Sequence, residues 1–317
     1  MPDPLHLLIP YAAWPPATPG QAAQQPPLPA LPNLEALLQR MAPTATLQGA
    51  EDSFSPPHER LHARLLGLPD ADGQIPWAAW ARAQAGHADA ADSAWAYLTP
   101  CLWQVGADHV TLAPPEQLQL DEAASRELLA LLAPWFAEDG ITLHYEQPTR
   151  WWAAGAVFDG LATAALDRVL RRDVRPWMPD ARQARTLHRL HSEMQMLLYT
   201  HPYNDARAAR GLPPVNAFWV HGAGRWQDAA QPGPTVDERL RAPALAGDAR
   251  AWASAWQALD AGPLAALQAA AAQGQRVQIT LGGERAAQTW ASAPQPWWRR
   301  LAARWQGPRW PAVAAGL

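Results

Sequence analysis

Residues 188–224 read HRLHSEMQMLLYTHPYNDARAARGLPPVNAFWVHGAG, and this stretch predicts a helix, a polar turn and a strand in succession. The helix is expected over residues 181–200, because apolar residues recur there at helical spacing and form one stripe: Leu187, Leu190, Met194, Leu197 and Leu198. The turn, residues 201–207, ends in a short helical piece that Gly211 stops. The strand is the β-prone run 215–220, which lies between two prolines and a Gly-Ala-Gly turn. Ligands of open α/β folds bind at such strand ends.

The polar and glycine residues of this stretch also carry a family resemblance. They form the pattern His-Pro-x-Asn-x-x-Arg from His201 to Arg207, followed by Gly-x-x-Pro-x-Asn-x-x-Trp-x-x-Gly-Ala-Gly from Gly211 to Gly224. The pattern resembles a segment of the archaeal-type, cofactor-independent phosphoglycerate mutases, which are metalloenzymes of the alkaline phosphatase superfamily. It is more closely similar to a bacterial family of RpfE-type regulatory proteins. A purely structural explanation stays open, in which the two asparagines, Asn204 and Asn216, satisfy buried backbone groups.

The fold class predicted from the whole chain is α/β. Apolar strands are expected at 5–9, 215–220 and 275–281, together in one sheet with helices on both faces. Further helices are expected to begin near Leu31 and to span 58–66, 161–172, 236–246, 249–259 and 263–272. Residues 94–154 predict a hairpin, a helix that Asp121 caps and two more strands, which together describe a compact α+β subdomain.

The resemblance implies how these parts are arranged. The mutases have an alkaline-phosphatase-like core sheet, into which an α+β subdomain is inserted on the substrate side. The predicted organisation is therefore a first part of the α/β core at 1–93, the inserted subdomain at 94–154 and the remainder of the core at 155–317.

The metal ligands that the resemblance implies are missing from this sequence. In the mutases the first strand ends in an aspartate and the last strand ends in Ser-Asp-His. Here Pro10 and Tyr11 follow the first strand, and Gly282, Gly283 and Glu284 follow the last. Because one carboxylate makes no two-metal site, we expect no metal and no cofactor. Mn²⁺ or Zn²⁺ would be required only if the protein is an active mutase that takes its ligands from other positions.

Two serines and two histidines are weaker candidates. Ser53 and Ser55 lie where the mutases carry their phosphorylated serine, and the catalytic residues are otherwise unknown. The favoured alternative is that a serine caps the helix that follows. His58 and His62 have the spacing of two imidazoles on one metal, but no third ligand stands at a recognisable distance. A solvated helix face is the expected role of that pair.

The resemblance also implies a ligand site. In the mutases a Tyr-Arg pair on the last strand of the insertion contacts the substrate phosphate, and Arg150 is the matching position here. A guanidinium suits phosphate oxygens, although stacking on Trp151 or Trp152 would equally explain it. The predicted ligand-binding set, expected to cluster at the sheet end, is Arg150, His201, Asn204, Arg207 and Asn216. The competing explanation is that the asparagines tie loops to the core and that Arg207 pairs with Asp205.

Composition excludes several other classes of protein. The net charge is −4 and the charges are interspersed along the chain, so no basic footprint for nucleic acid is present. The aromatic and arginine-rich stretch 297–310 is expected to be a packing helix. The single cysteine, Cys101, fits a reducing compartment. The N-terminal residues do not resemble a signal peptide, and no apolar run is long enough to span a membrane, so a cytoplasmic location is expected.

Three functions remain as hypotheses. The leading one is a mutase-like protein without the metal ligands, non-catalytic and binding a small phosphorylated or carboxylate metabolite in a regulatory role. The first alternative is an active metal-dependent phosphoglycerate mutase or phosphohydrolase. The second is a protein-interaction module that uses some of the 18 tryptophans as interface anchors. The sequence does not identify a protein partner.

Overall fold

The computed structural model describes residues 5–15, 26–228, 232–292 and 309–317. The strands are β1 Leu5–Ile9, β2 Met41–Gln48, β3 Ala94–Cys101, β4 Trp103–Val105, β5 Val110–Leu112, β6 Thr142–Gln147, β7 Arg150–Ala154, β8 Ala217–Arg225, β9 Thr235–Val236, β10 Val277–Gly282 and β11 Ala286–Ser292. The helices are α1 Pro32–Leu38, α2 Pro57–Leu66, α3 Trp77–Gln84, α4 Glu122–Ala137, α5 Leu166–Val169, α6 Arg185–Thr200, α7 Pro202–Ala209, α8 Arg241–Ala246, α9 Ala249–Leu259, α10 Ala265–Ala272 and α11 Trp310–Ala315. The predicted α/β class is confirmed.

Two larger sheets form in the described part of the chain, and the chain divides into two compact units around them. The first unit comprises Met1–Glu51, Pro56–Leu66 and Gln231–Leu317, and the second comprises Asp52–Ser55 and Gly67–Ala230. Sheet A of the first unit has the strand order β2-β11-β10-β1-β9, and sheet B of the second has the order β6-β7-β3-β8. The second unit covers more of the chain than the insertion expected at 94–154. The reason is that β3 pairs on one side with β7 and on the other with β8, which lies far along the chain.

Sheet A joins the first and the last predicted core strands. β1 runs parallel to β10, with Leu7 opposite Ile279, so the expectation that 5–9 and 275–281 share a sheet is confirmed. β11 and β2 extend the sheet in antiparallel fashion, and neither was expected from the sequence. β2 carries Pro43 opposite Trp290, beside a register shift, which an edge strand tolerates because its outer backbone groups need no partner.

Helices cover both faces of sheet A, as predicted. On one face the side chains of Leu7, Ile9 and Ile279 join a buried apolar cluster to which α1, α9, α10 and α11 contribute. On the other face Leu8 and Thr280 are buried as well. There helix α2 packs closely, since a Cβ on Gly282 would lie only 2.4 Å from the Cβ of His58.

The strand at 215–220 belongs to sheet B, and the prediction that it shares a sheet with 5–9 and 275–281 is wrong. It forms β8, whose residues Phe218 and Val220 pair with β3 through Pro100 and Leu98. All of β3 is buried, so an apolar run such as β8 finds a fully buried neighbour there. Apolar character shows that a strand is buried on both faces, but it does not select between two sheets.

The Gly-Ala-Gly sequence lies inside β8 and does not form a turn after it. Gly222 has φ +61°, and a Cβ on it would lie 3.0 Å from the Cβ of Trp77. A Cβ on Gly224 would lie 2.9 Å from the Cβ of Pro76. The two glycines therefore let the start of α3 approach the strand, and the expected ligand-binding turn is replaced by helix packing.

Several predicted helices differ from the structure. The helix expected at 161–172 is reduced to α5, and the helix expected at 236–246 is divided between β9 and α8. Pro263 does not open a helix; it lies in a π-helical turn at Asp260–Leu264 that joins α9 to α10. The buried Asp260 carboxylate accepts hydrogen bonds from the backbone N–H groups of Asn33 and Leu34, so this irregular turn caps helix α1. The helix expected at 297–310 lies outside the described residues up to 308.

Three predictions of local structure in the second unit are confirmed. Helix α6 covers most of 181–200, and Asp121 caps α4 by accepting a hydrogen bond from Ala124 N–H at 2.8 Å. Strands β4 and β5 form the expected hairpin. None of the described helices has the length and apolar character of a membrane span.

Candidate functional site

The polar turn after helix α6 is held by hydrogen bonds to its own backbone. His201 precedes helix α7, and its Nδ1 accepts a hydrogen bond from Tyr203 N–H at 3.1 Å. Pro202 occupies the first turn of α7, where a missing N–H costs nothing. His201 is thus the N-cap of a short helix, in the role that serine or aspartate usually fills.

Both asparagines of the predicted ligand set bind backbone groups. Asn204 Nδ2 donates to the carbonyls of Leu198 at 2.8 Å and Val215 at 2.7 Å, and its Oδ1 accepts from Val215 N–H at 3.0 Å. Asn216 Oδ1 accepts from Trp103 N–H at 2.7 Å, while its Nδ2 donates to Trp103 O at 2.9 Å. Such pairs of bonds imitate strand pairing and fix the entry to β8.

Arg207 has a similar structural role. Its side chain is buried, with 3% of the residue exposed. Nε donates to Pro213 O at 2.9 Å and Nη2 donates to Leu118 O, and the expected pairing with Asp205 is not observed among these bonds. The guanidinium therefore satisfies carbonyls that helices and strands leave unpaired.

Arg150 lies on the opposite face of sheet B from this turn. On the face that packs against α4 and α6, Leu98 and Trp151 join the same apolar cluster as Tyr203. Tyr97 and Trp152 point to the other face, toward α3. Side chains alternate along a strand, so Arg150 shares the face of Trp152, and its guanidinium carbon lies 4.6 Å from the centroid of the Tyr97 ring. The structure does not bring Arg150 together with His201, Asn204, Arg207 and Asn216.

A row of aromatic and imidazole side chains lies on the same face of sheet B as Arg150, and we call it the Arg150 face. His144, Trp152, Tyr97 and His221 stand opposite one another on successive strands of sheet B. The rings of Tyr97 and His221 are 5.2 Å apart, and His221 Nε2 is hydrogen bonded to Thr99 Oγ1 at 3.2 Å. These cross-strand neighbours are the closest side-chain pairs that a sheet offers.

Arg150 is fixed in this face by a carboxylate and a ring. Its Nε and Nη2 donate to the two oxygens of Glu146 at 2.7 and 2.8 Å, which is a bidentate ion pair. The side chains of Arg150 and Glu146 are 36% and 18% exposed, so the pair is reached by solvent. The guanidinium does not stack on Trp151, whose indole donates to Ser125 on the other face.

Tyr97 contributes a neutral hydroxyl to this face. Burial raises the pKa of Tyr97 to about 12, against the opposing effect of the nearby Arg150 charge. The hydroxyl therefore stays protonated at neutral pH and donates to Trp77 O at 3.4 Å. Its one proton is already donated, and the neutral hydroxyl does not act as a base.

Ser53 and Ser55 are buried and hydrogen bonded within the second unit. Ser55 Oγ accepts from Gly73 N–H at 2.9 Å, and Ser53 Oγ accepts from Arg168 Nη2 at 3.0 Å. Neither bond is the helix cap that we expected ahead of α2. The Asp72 carboxylate accepts from the Ser55 N–H at 2.8 Å, so these side chains close a loop.

Cys101 is equally unsuited to nucleophilic chemistry. Burial raises the pKa of its thiol well above the usual range, and the residue is fully buried in an apolar cluster. A thiol held neutral is a weak nucleophile.

In the part of the chain that the structure describes, the ends of the core strands in the first unit carry no cluster of metal ligands. Tyr11 follows β1 with φ 58°, a strained conformation for a bulky residue, and its ring lies 5.3 Å from that of His58. Burial lowers the pKa of His62 to about 4 and that of His6 to about 4. Within the described ranges, no three histidine, cysteine, aspartate or glutamate side chains come close enough together to hold a metal ion. The absence of a metal from the protein itself stays a prediction.

Comparison with known proteins adds two distant structural similarities. No protein-family model and no curated protein matches the sequence. The PH0037 protein from Pyrococcus horikoshii is 10% identical, with 92% of this chain and 87% of that chain covered and a TM-score of 0.46. A cofactor-independent phosphoglycerate mutase from Thermoplasma acidophilum is 12% identical, with 93% and 90% covered and a TM-score of 0.33. Neither similarity bears on activity or on the RpfE-type resemblance.

Sequence reasoning identified Arg150 but missed its surroundings. The neighbours Tyr97, Thr99 and His221 lie on β3 and β8, so no local motif connects them to Arg150. The alternation of 95, 97 and 99 along β3 was the available signal, since such residues share one face of a strand.

Proposed function

We propose that the protein is a phosphoglycerate mutase-like protein that binds a small phosphorylated or carboxylate metabolite and acts in a regulatory role without catalysing the mutase reaction. In this proposal the protein is cytoplasmic and needs no metal or cofactor. The observation that carries the proposal is the Arg150 guanidinium, which is partly exposed and is held in one orientation over Tyr97.

The chemistry of the Arg150 face supports an anionic ligand. A guanidinium presents its donors in a planar fork that fits two oxygens of a carboxylate or a phosphate. In this structure the Glu146 carboxylate occupies that fork with two short bonds. The neutral hydroxyl of Tyr97 and the imidazole of His221 add polar groups beside it.

The remaining candidates from the sequence have less support as ligand-binding residues. The side chains of Asn204, Asn216 and Arg207 already bind backbone groups of the loops around them. We therefore place the ligand on the Arg150 face and assign a supporting role to the turn at 201–216. The interaction-module alternative is also weaker, because among the described tryptophans Trp135 is the only one that is exposed.

Binding can be tested by ligand-induced stabilisation. We expect inorganic phosphate, 2-phosphoglycerate or 3-phosphoglycerate to raise the melting temperature of the protein, because a ligand of the native state stabilises it by mass action. The variant Arg150→Ala should keep nearly the same melting temperature without ligand and should lose the shift.

The chain offers a matched control for this experiment. Arg126 donates to Glu122 at 2.8 Å and lies 3.9 Å above the Tyr145 ring, so it repeats the Arg-Glu-Tyr arrangement on exposed helix α4. The variant Arg126→Ala should retain the full ligand-induced shift. A flat response of the unmutated protein across the metabolite panel, or an equal loss in both variants, would contradict the proposal.

A further inference from the structure

The outer side of helix α6 carries a stripe of exposed side chains. Its members are Arg189, Ser192, Met196 and Tyr199, and we call them the α6 stripe. Residues that are spaced alternately by three and four positions follow one side of a helix, so the stripe runs along the axis of α6. Met196 and Tyr199 are 74% and 85% exposed, which leaves their apolar surfaces in water.

Exposed apolar side chains are concentrated around this stripe. In the part of the chain that the structure describes, five large apolar side chains are exposed, and three of them, Trp135, Met196 and Tyr199, lie on α4 and α6. A cleft of about 430 Å³ lies beside them, lined by Trp135, Ser192, Glu193, Met196 and Leu197. An apolar patch of this kind is typical of a surface that another molecule covers.

The order of the side chains makes the α6 stripe complementary to a second copy of itself. When two α6 helices pack antiparallel about a two-fold axis level with position 194, Ser192 of each copy lies opposite Met196 of the other. Arg189 of each copy then lies opposite Tyr199 of the other. Helices with this spacing pack side by side, with the side chains of one between those of its neighbour. A small serine leaves room for a long methionine, so the facing residues match in size.

The Arg189 guanidinium can meet a tyrosine ring without losing the partners that it already has. Its Nη1 donates to Glu193 at 2.9 Å, and its Nη2 donates to Asp139. Because guanidinium N–H groups point outward in the plane of the group, the flat faces stay available for an aromatic ring. Arg126 on α4 shows the same combination, since it keeps its own ion pair and lies 3.9 Å from the centroid of the Tyr145 ring.

We propose that the protein forms a symmetric dimer through the α6 stripe, with the two α6 helices antiparallel and Met196 of each copy packed on Ser192 of the other. The methionine lies at the edge of the cleft, beside Trp135. Such a contact uses the same surface on both copies and closes after two. The Arg150 face lies on the other side of sheet B from α6, so the dimer leaves it open. A contact made mainly by one helix is small, and we expect a dissociation constant on the order of 10 µM.

Sedimentation equilibrium of the full chain tests the dimer. The unmutated protein should change from monomer to dimer as its concentration passes through this range. Met196→Glu places a charge in the contact and should weaken dimerisation by about tenfold or more. The matched control is Val105→Glu on the β4–β5 hairpin, where the valine is 82% exposed, and it should leave dimerisation unchanged. A protein that stays monomeric, that assembles beyond two copies, or that responds equally to both substitutions would contradict the proposal.

Exchange of the two facing residues tests the antiparallel register. Ser192→Met sets two methionines against each other and Met196→Ser sets two serines against each other, so each single variant should weaken dimerisation about tenfold. The double variant Ser192→Met/Met196→Ser again places one large side chain opposite one small one, and it should recover most of the original affinity. If Ser192→Met strengthens association instead, or if the double variant is no better than Met196→Ser, the patch is only generally apolar and the antiparallel dimer is overturned.

Discussion

His191 on helix α6 lies between two aromatic rings. The Phe218 ring is stacked on the His191 ring, with the ring centroids 4.0 Å apart and an interplanar angle of 10°. The centroid of the Trp103 ring lies 5.0 Å from that of His191. The residue is 7% exposed, and within the described residues its Nδ1 has no hydrogen-bond partner. Burial, with a smaller effect of His188, lowers the pKa of His191 to about 3.

This environment predicts that the protein loses stability in mild acid. In the unfolded chain His191 binds a proton near the ordinary histidine pKa of about 6.5, whereas in the folded chain it stays neutral at that pH. The free energy of unfolding is therefore greatest above that pH and decreases as the pH falls. At pH 5 the free energy of unfolding should lose about 2 kcal/mol through His191. In the variant His191→Phe, the free energy of unfolding measured in urea should decrease by that much less between pH 8 and pH 5. Equal pH dependence in the variant and the unmutated protein would show that the pKa of His191 is the same in the folded and unfolded chains.

At the scale of elements, Asn204 joins three segments of the second unit by hydrogen bonds. Its amide connects the end of α6, the start of α7 and the chain that enters β8, through Leu198 and Val215. A ligand-binding role and a structural role would both use the hydrogen-bonding groups of its amide. Only the position of the partners distinguishes the two roles.

Removing the Asn204 side chain should destabilise the protein without affecting ligand binding. We expect Asn204→Ala to lower the free energy of unfolding by about 1–3 kcal/mol, since it leaves partly buried backbone groups unsatisfied. The neighbouring Asp205→Ala, an exposed change on the same helix, should cost less than about 1 kcal/mol. Urea unfolding measures both. A stable Asn204→Ala protein that no longer responds to phosphate would instead assign Asn204 to the ligand.

The elements that the sequence predicted well are those with strong local signals. Helix α4 has an Asp cap and helix α6 has an apolar stripe, and both were placed within a few residues of their observed bounds. Strands β2 and β11 were missed because their alanine, threonine and proline side chains give only a weak alternation of apolar and polar residues. They are recognised as strands mainly from their pairing with each other. Strand β8 was recognised as a strand, but its sheet was misassigned, because pairing partners more than a hundred residues apart leave no local trace.

The candidate site was less predictable for the same reason. Arg150 was identified through a family pattern, whereas the Tyr97 ring beside it belongs to β3, whose pairing with β7 leaves no local trace in the sequence. Conversely, the polar turn at 201–216 has the residue types of a binding site, and its side chains bind backbone instead. Residue type indicates which bonds a group can form, and the fold decides with which partner.

At the scale of the whole molecule, the two units have different chemical character. In the second unit, sheet B presents a cation, a hydroxyl and imidazoles on one partly exposed face. In the first unit, the ends of β1 and β10 lie side by side, with Ala12 N–H donating to Gly282 O at 2.7 Å. The residues there are Tyr11, Gly282 and Gly283, and none of these side chains is a metal ligand of the kind that two-metal phosphoryl transfer uses.

We therefore expect the purified protein to hold no stoichiometric divalent metal and to leave 2- and 3-phosphoglycerate unchanged. After equilibration with Mn²⁺ or Zn²⁺ and dialysis, elemental analysis should give well under one ion per chain, because no carboxylate and imidazole set converges among the described residues of the first unit. An archaeal-type mutase carried through the same dialysis shows whether bound ions survive it. Incubation with either phosphoglycerate, followed by phosphorus NMR, should show no interconversion. Two ions per chain, or a turnover that a chelator abolishes, would restore the active metalloenzyme and place its ligands at positions that neither the sequence pattern nor the strand ends indicate.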